Sequence, residues 1–139
     1  MNEVRSAQTI KELTAPFLEK GFSFEYFYQK GGDSSCVYVY RFKKVKNFFD
    51  WRETSGTYEI HLVVCVDGEY RFPNMEKRYP KQTRKFKCKH LFKKPTVEER
   101  RAFFASLLLE ELKNSSNDFF GISWIFDWLL LPNCGIIYL

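Results

Sequence analysis

The sequence predicts an α+β domain: a mostly antiparallel sheet of about five strands, with an N-terminal helix and two C-terminal helices packed on one face. Three observations carry that expectation. Between residues 22 and 92 apolar side chains recur at alternate positions, the period of a half-buried strand. Helical spacing of apolar residues is confined to the stretches before residue 21 and after residue 95. The runs between them are joined by hairpin-length connections, which suit antiparallel pairing and leave no room for parallel crossovers. With 139 residues, 45% of them apolar and 19% aromatic, the chain is expected to form a single domain over 1–139, too apolar for disorder.

The first helix is placed at about residues 6–20, where Ile10, Leu13, Phe17 and Leu18 share a face and Ser6 offers an N-cap. Pro16 should kink it or start a separate last turn. Gly21 supplies the left-handed residue that ends it, and Phe22 can fold back on Phe17 as a Schellman motif requires. A strand follows with Phe22, Phe24, Tyr26 and Tyr28 on one side. The stretch 30–35, Lys-Gly-Gly-Asp-Ser-Ser, is a turn by composition. Residues 36–45 form the second strand of that hairpin, with Val37 and Val39 opposite Tyr38, Tyr40 and Phe42. Residues 47–56, containing Asp50, Trp51 and Arg52, are expected to be a connecting loop.

The third strand is placed at 57–66. Asp67-Gly68 suggests a two-residue hairpin. Parity favours a three-residue bulged turn, because that pairs Val64 with Tyr70 and Leu62 with Phe72 on one apolar face. His61, Val63 and Cys65 then lie opposite. After Pro73, residues 74–82 are expected to be a polar connector. Residues 83–94 read as a fifth strand with Phe86, Cys88, His90 and Phe92 inward and Lys85, Lys87 and Lys89 outward. Thr96 with Glu99 forms a capping box opening a helix that carries Val97, Phe104, Leu108 and Leu112 and ends near Asn114. Residues 119–139 are strongly apolar but broken by Asp127 and Pro132, too short a run to span a bilayer. They are read as a buried helix and a final strand or docked tail, with Trp124 and Trp128 available to a partner, a second copy of the chain, or a membrane surface.

The formal net charge of +5 is uneven: residues 1–94 hold 19 Lys+Arg against 11 Asp+Glu, and residues 95–139 hold 3 against 6. The basic residues Lys77, Arg78, Lys81, Arg84, Lys85, Lys87, Lys89, Lys93 and Lys94 run without an intervening acid. A lysine-faced strand can meet an acidic protein, track a phosphate backbone, or merely guard a sheet edge. The start of the chain has no apolar signal region, so a cytoplasmic location is expected, with Cys36, Cys65, Cys88 and Cys134 reduced.

Metal and catalytic readings are weaker. Zinc could take His61, Cys65, Cys88 and His90. However, His61 and Cys65 stand roughly 13 Å apart along a strand at about 3.3 Å per residue, beyond the reach of one ion. No phosphate-binding glycine loop, Gly-x-Ser-x-Gly elbow or His-Glu-x-x-His is present. Asp67, Glu69 and Arg71 fit a nuclease-like pattern only loosely. No cofactor, metal or catalytic residue is therefore expected.

The opening, with Pro16 inside a helix running into Gly21-Phe22 and an aromatic strand, resembles small bacterial domains of unknown function over about the first third of the chain. That resemblance implies a bacterial or phage accessory protein that works by binding. The resulting expectation is a non-enzymatic protein of inhibitor, immunity or accessory type, contacting an acidic partner. Its binding residues are Arg84, Lys85, Lys87, Lys89, Lys93, Lys94, Trp124 and Trp128. Nucleic acid is the alternative ligand of the basic stretch.

Overall fold

The computed structural model describes residues 3–30, 36–55, 59–114 and 119–120. Two short helices, α1 (Glu3–Leu13) and α2 (Ala15–Glu19), precede five strands: β1 (Ser23–Lys30), β2 (Cys36–Lys44), β3 (Asn47–Thr54), β4 (Ile60–Val66) and β5 (Glu69–Arg71). Helices α3 (Met75–Arg78), α4 (Pro80–Lys89) and α5 (Val97–Lys113) follow. The sheet is an antiparallel meander in chain order. The α+β class with a five-stranded antiparallel sheet is as the sequence predicts. Its third member, however, is residues 47–54, and the stretch 83–94 expected to be the fifth strand is helical as far as Lys89.

Local signals account for the N-terminal end. Pro16 sits in the first turn of α2, where its missing N–H costs nothing, and it separates α2 from α1. Helix α1 begins at Glu3, so Ser6 is a buried residue within it and not its cap. Gly21 has φ +97, its N–H donates to the Leu18 carbonyl, and the Phe22 N–H donates to that of Phe17, both at 3.1 Å. This is the Schellman pattern, and the Phe17 and Phe22 rings meet edge to face at 5.5 Å.

Phe17 is the centre of an aromatic core. Phe42 and Phe49 stack at 4.7 Å beneath it, and Phe120 closes on Phe49 at 4.6 Å. The core side of the sheet carries Tyr40 and Phe42 from β2, Phe49 and Trp51 from β3, and Leu62, Val64 and Val66 from β4. Helix α5 covers it with Ala105, Leu107 and Leu108.

Residues 47–54 form a strand because their polar members are neutralised by distant partners. On the core side Glu53 receives two hydrogen bonds from Arg101 of α5, at 2.7 and 2.9 Å, and a third from the Trp51 indole at 3.0 Å. Both charged residues are buried. Burial opposes the Arg101 charge, but the hydrogen bond and the negative charge of Glu53 outweigh it and raise the pKa. On the outer side Asp50 takes two hydrogen bonds from Arg41, at 2.8 and 2.9 Å. The Arg41 guanidinium also lies over the Phe48 ring at 4.0 Å. Arg52 reaches across β2 to Gln29 at 2.8 Å, so the outer side of the sheet is roofed by its own long side chains over the buried Val39.

The β2–β3 and β4–β5 hairpins each turn in two residues. Val66 pairs with Glu69, Cys65 with Tyr70 and Val64 with Arg71. Asp67 and Gly68 both have positive φ, 53 and 81, the type I′ combination that matches strand twist. The bulged three-residue register is thus corrected. Tyr70 joins the outer side beside Phe48, and Tyr70 and Phe72 stay exposed, so neither ring needs the core. His61, Val63 and Cys65 do lie opposite the core side. The expected turn at 30–35 lies largely, and the C-terminal helix and final strand lie almost wholly, outside the described residues.

Between β2 and β3, Val45 has φ +57 and is exposed. A β-branched residue is strained there, and glycine is not. Val45→Gly is expected to raise unfolding free energy by about 1 kcal/mol in urea titration, the relief of strain exceeding the added chain entropy. A loss of stability would contradict this assignment of the turn.

Candidate binding surface

Within residues 74–94, where a connector and a strand are expected, the chain forms the helices α3 and α4, ending at Lys89. Asn74 caps α3, its side-chain oxygen accepting from the Lys77 N–H at 3.2 Å. Pro80 then occupies the first turn of α4, a position that favours proline. Within 80–89 the residues are mostly Lys, Arg and Gln, strong helix formers, and only Thr83 is β-branched. Thr83, Phe86 and His90 recur at three and four, so they share the inner side of α4. Alternating lysines imitate a strand period, and Phe86 with His90 satisfies both periods, which is why the strand reading fails here.

Helix α5 holds this unit at two places. Phe86 stacks on Phe103 at 4.2 Å, and His90, next to Phe86, approaches Glu99 at 3.5 Å. Glu99 belongs to the capping box with Thr96, as the sequence predicts. The hydrogen bond from the Thr96 backbone is the main cause that lowers the Glu99 pKa. At the other end the buried Glu111 accepts from Arg78 at 2.9 and 3.1 Å and from the Tyr79 hydroxyl at 2.8 Å. Burial, then the Glu111 carboxylate, push the Tyr79 phenol up to about 12. The basic helix is thereby fixed on the domain at both ends.

The outer side of α4 carries Lys81, Arg84, Lys85, Cys88 and Lys89, all exposed. Among the described residues, Lys81, Arg84 and Lys85 form no salt bridge. Lys85 and Lys89 stand one turn apart, whereas Lys87 lies on another side and pairs with Glu76 at 3.5 Å. The expected face of Lys85, Lys87 and Lys89 is therefore split by the helix. Beyond α4, Leu91 and Phe92 are exposed, Phe92 fully, next to exposed Lys93 and Lys94. A shallow depression of about 530 Å³ lies along the flank of α4 that carries Lys87, lined by Glu76, Thr83, Arg84, Cys88 and Leu91 among others. Lys81 and the Leu91-Phe92 pair complete a surface that a strand reading could not assemble. Trp124 and Trp128, and any homodimer contact through the C-terminal apolar segment, lie outside the described residues.

The cysteines and histidines do not converge. Cys88 is exposed near the end of α4, whereas His90, its C-cap, turns inward to Glu99, which corrects their placement on one side of a strand. His61 is on the outer side of β4, 3.3 Å from Glu59. Among the described residues no group of three His, Cys, Asp or Glu could hold a metal ion. Nor is any described helix long and apolar enough to cross a membrane.

No protein-family model matches the chain, and no curated protein or solved structure is significantly similar to it. The resemblance of the first third to small bacterial domains therefore stands on Pro16, Gly21 and Phe22 alone.

Tyr79→Phe tests the attachment of α3–α4 to α5. The folded pKa of this phenol is raised, so the stability it contributes is complete below about pH 10 and lost as pH rises through about 12. The variant is expected to be less stable than wild type by about 1.5 kcal/mol at neutral pH. In urea unfolding the gap should close across that alkaline window; a gap that does not change with pH would contradict the Glu111 contact.

Proposed function

We propose that the chain is a small non-enzymatic binding protein, of inhibitor, immunity or accessory type, that docks the outer side of α4 onto an acidic surface of a partner protein. The observation that carries this reading is a fixed helix with five cations and no acid, which runs on into exposed Leu91 and Phe92. Cations at the rim steer encounter with an acidic partner and set the on-rate. An exposed aromatic and a leucine beside them supply the apolar contact that a protein interface needs at its centre. We further propose a cytoplasmic, bacterial or phage setting, which suits the free Cys36, Cys65 and Cys88.

Nucleic acid is the second reading, favoured by the same acid-free helix. Four of the five cations in α4 are lysines, which give phosphate attraction more readily than base readout. The two readings separate in one experiment: affinity capture from host lysate with and without nuclease, using wild type and a Lys81→Glu/Arg84→Glu/Lys85→Glu variant. These side chains are exposed, so the variant is expected to fold. Wild type should capture a protein whether or not nuclease is added, and the variant should lose about tenfold or more in association rate. Capture abolished by nuclease, or an unchanged rate in the variant, would refute the proposal.

A further inference from the structure

Strand β1 forms one margin of the sheet, and its outward edge has no partner among the described residues. The hydrogen-bond parity of this edge follows from the neighbouring hairpin. Lys44 and Asn47 flank a two-residue turn and so exchange hydrogen bonds. Even-numbered positions of β2 therefore bond to β3, and the Ser55 N–H accordingly donates to the Cys36 carbonyl at 2.8 Å. Odd-numbered positions of β2 bond to β1, where their partners are Ser23, Glu25, Phe27 and Gln29. Phe24, Tyr26, Tyr28 and Lys30 are left directing N–H and C=O away from the sheet.

This edge is open and unguarded. Tyr26 and Tyr28 belong to the core side of the sheet, yet they are 44% and 57% exposed, so the described helices leave this stretch uncovered. Its eight residues include no proline or glycine, pair with β2 without a bulge, and hold one lysine, at the very end. Exposed edges are usually protected by such devices. Four of the five residues at 24–28 are aromatic, an apolar margin that pairing would bury. Charge selects what pairs with it. On the outer side Gln29 accepts from Arg52 through Oε1 at 2.8 Å, which leaves its NH2 group to donate elsewhere. Glu25 shares that side of β1 and forms no salt bridge with a described residue. In an antiparallel copy of β1, outward amides meet only if the numbers of opposed residues add to an even sum. Centred on Phe27, such pairing sets Glu25 opposite Gln29, Tyr26 opposite Tyr28 and Phe24 opposite Lys30. The strand is thus complementary to itself in hydrogen bonding, apolar contact and charge.

We propose that a second copy of this chain covers the edge. Strand β1 pairs antiparallel with β1 of the second copy about a twofold axis at Phe27, joining two five-stranded sheets into one. Each Glu25 carboxylate accepts from Gln29 of the other copy, with Arg52 behind it, and the Tyr26 and Tyr28 rings pack across the seam. Helix α4 lies beside β4, away from β1, so this contact and the cationic surface can fail independently.

The test uses the full chain, with sedimentation equilibrium for its mass and amide exchange read above and below the dimer dissociation constant. A dimer is expected. On dilution to monomer the Tyr26 and Tyr28 amides should exchange about tenfold or more faster, while the Phe27 amide, which faces β2, should change much less. Tyr26→Pro removes an outward N–H and spares the β1–β2 ladder, so it should weaken association about a hundredfold or more. Glu25→Lys changes only an exposed side chain and should weaken association about tenfold, because it sets a cation against Arg52. A chain that is monomeric at about 1 mM would overturn the proposal. So would Tyr26 and Tyr28 amides that stay protected in the monomer, since residues of the same chain would then cover the edge. Association unchanged by either substitution would overturn it as well, because the contact would then lie elsewhere.

Discussion

The buried pair of Glu53 and Arg101 is the contact on which the arrangement of layers depends. It joins the middle strand to the long helix across 48 residues of sequence, with the Trp51 indole completing the carboxylate's bonding. A charge in this position is costly if left alone, because an unpaired buried ion loses its hydration without compensation. Glu53 therefore tolerates few placements of α5. The orientation that satisfies it also brings Leu107 and Leu108 onto the sheet, packs Phe104 against Trp51 at 4.9 Å, and points Glu111 at Arg78 and Tyr79.

A second consequence is the placement of α4. This helix has little apolar surface: its inner side offers Phe86, the buried Thr83 and the half-buried His90. A helix of this length and composition would be marginal by itself in water. It is ordered through α5, by the Phe86–Phe103 stack at one end and the Glu111 contacts with Arg78 and Tyr79 at the other. Sheet, long helix and basic helix thus form a chain of dependence. The cationic surface exists as a surface because each link holds the next.

Sequence alone revealed the parts governed by local chemistry. Gly21-Phe22, the Thr96–Glu99 box and the aromatic alternation of 22–28 and 36–44 each act within a few residues, and each is found where expected. Residues 47–54 were hidden because Asp50 and Glu53 look incompatible with a buried strand until Arg41 and Arg101 are known to meet them. The turn at Asp67-Gly68 obeyed its own two-residue signal, and the assumption that Tyr70 and Phe72 must be buried misled the register. In 83–94 regular lysine spacing produced a false strand period. The basic residues singled out from the sequence are exposed, but their grouping follows the helix and not a strand period.

If Glu53 and Arg101 truly hold the layers together, a double-mutant cycle of Glu53→Gln and Arg101→Leu measures it most directly. Each single change leaves a buried partner unsatisfied and is expected to cost about 3–5 kcal/mol in urea unfolding. The double variant should cost much less than the sum, giving a coupling of about 2 kcal/mol or more. Single losses below about 0.5 kcal/mol that simply add would contradict the account, because the pair would then be a bystander to the packing of α5.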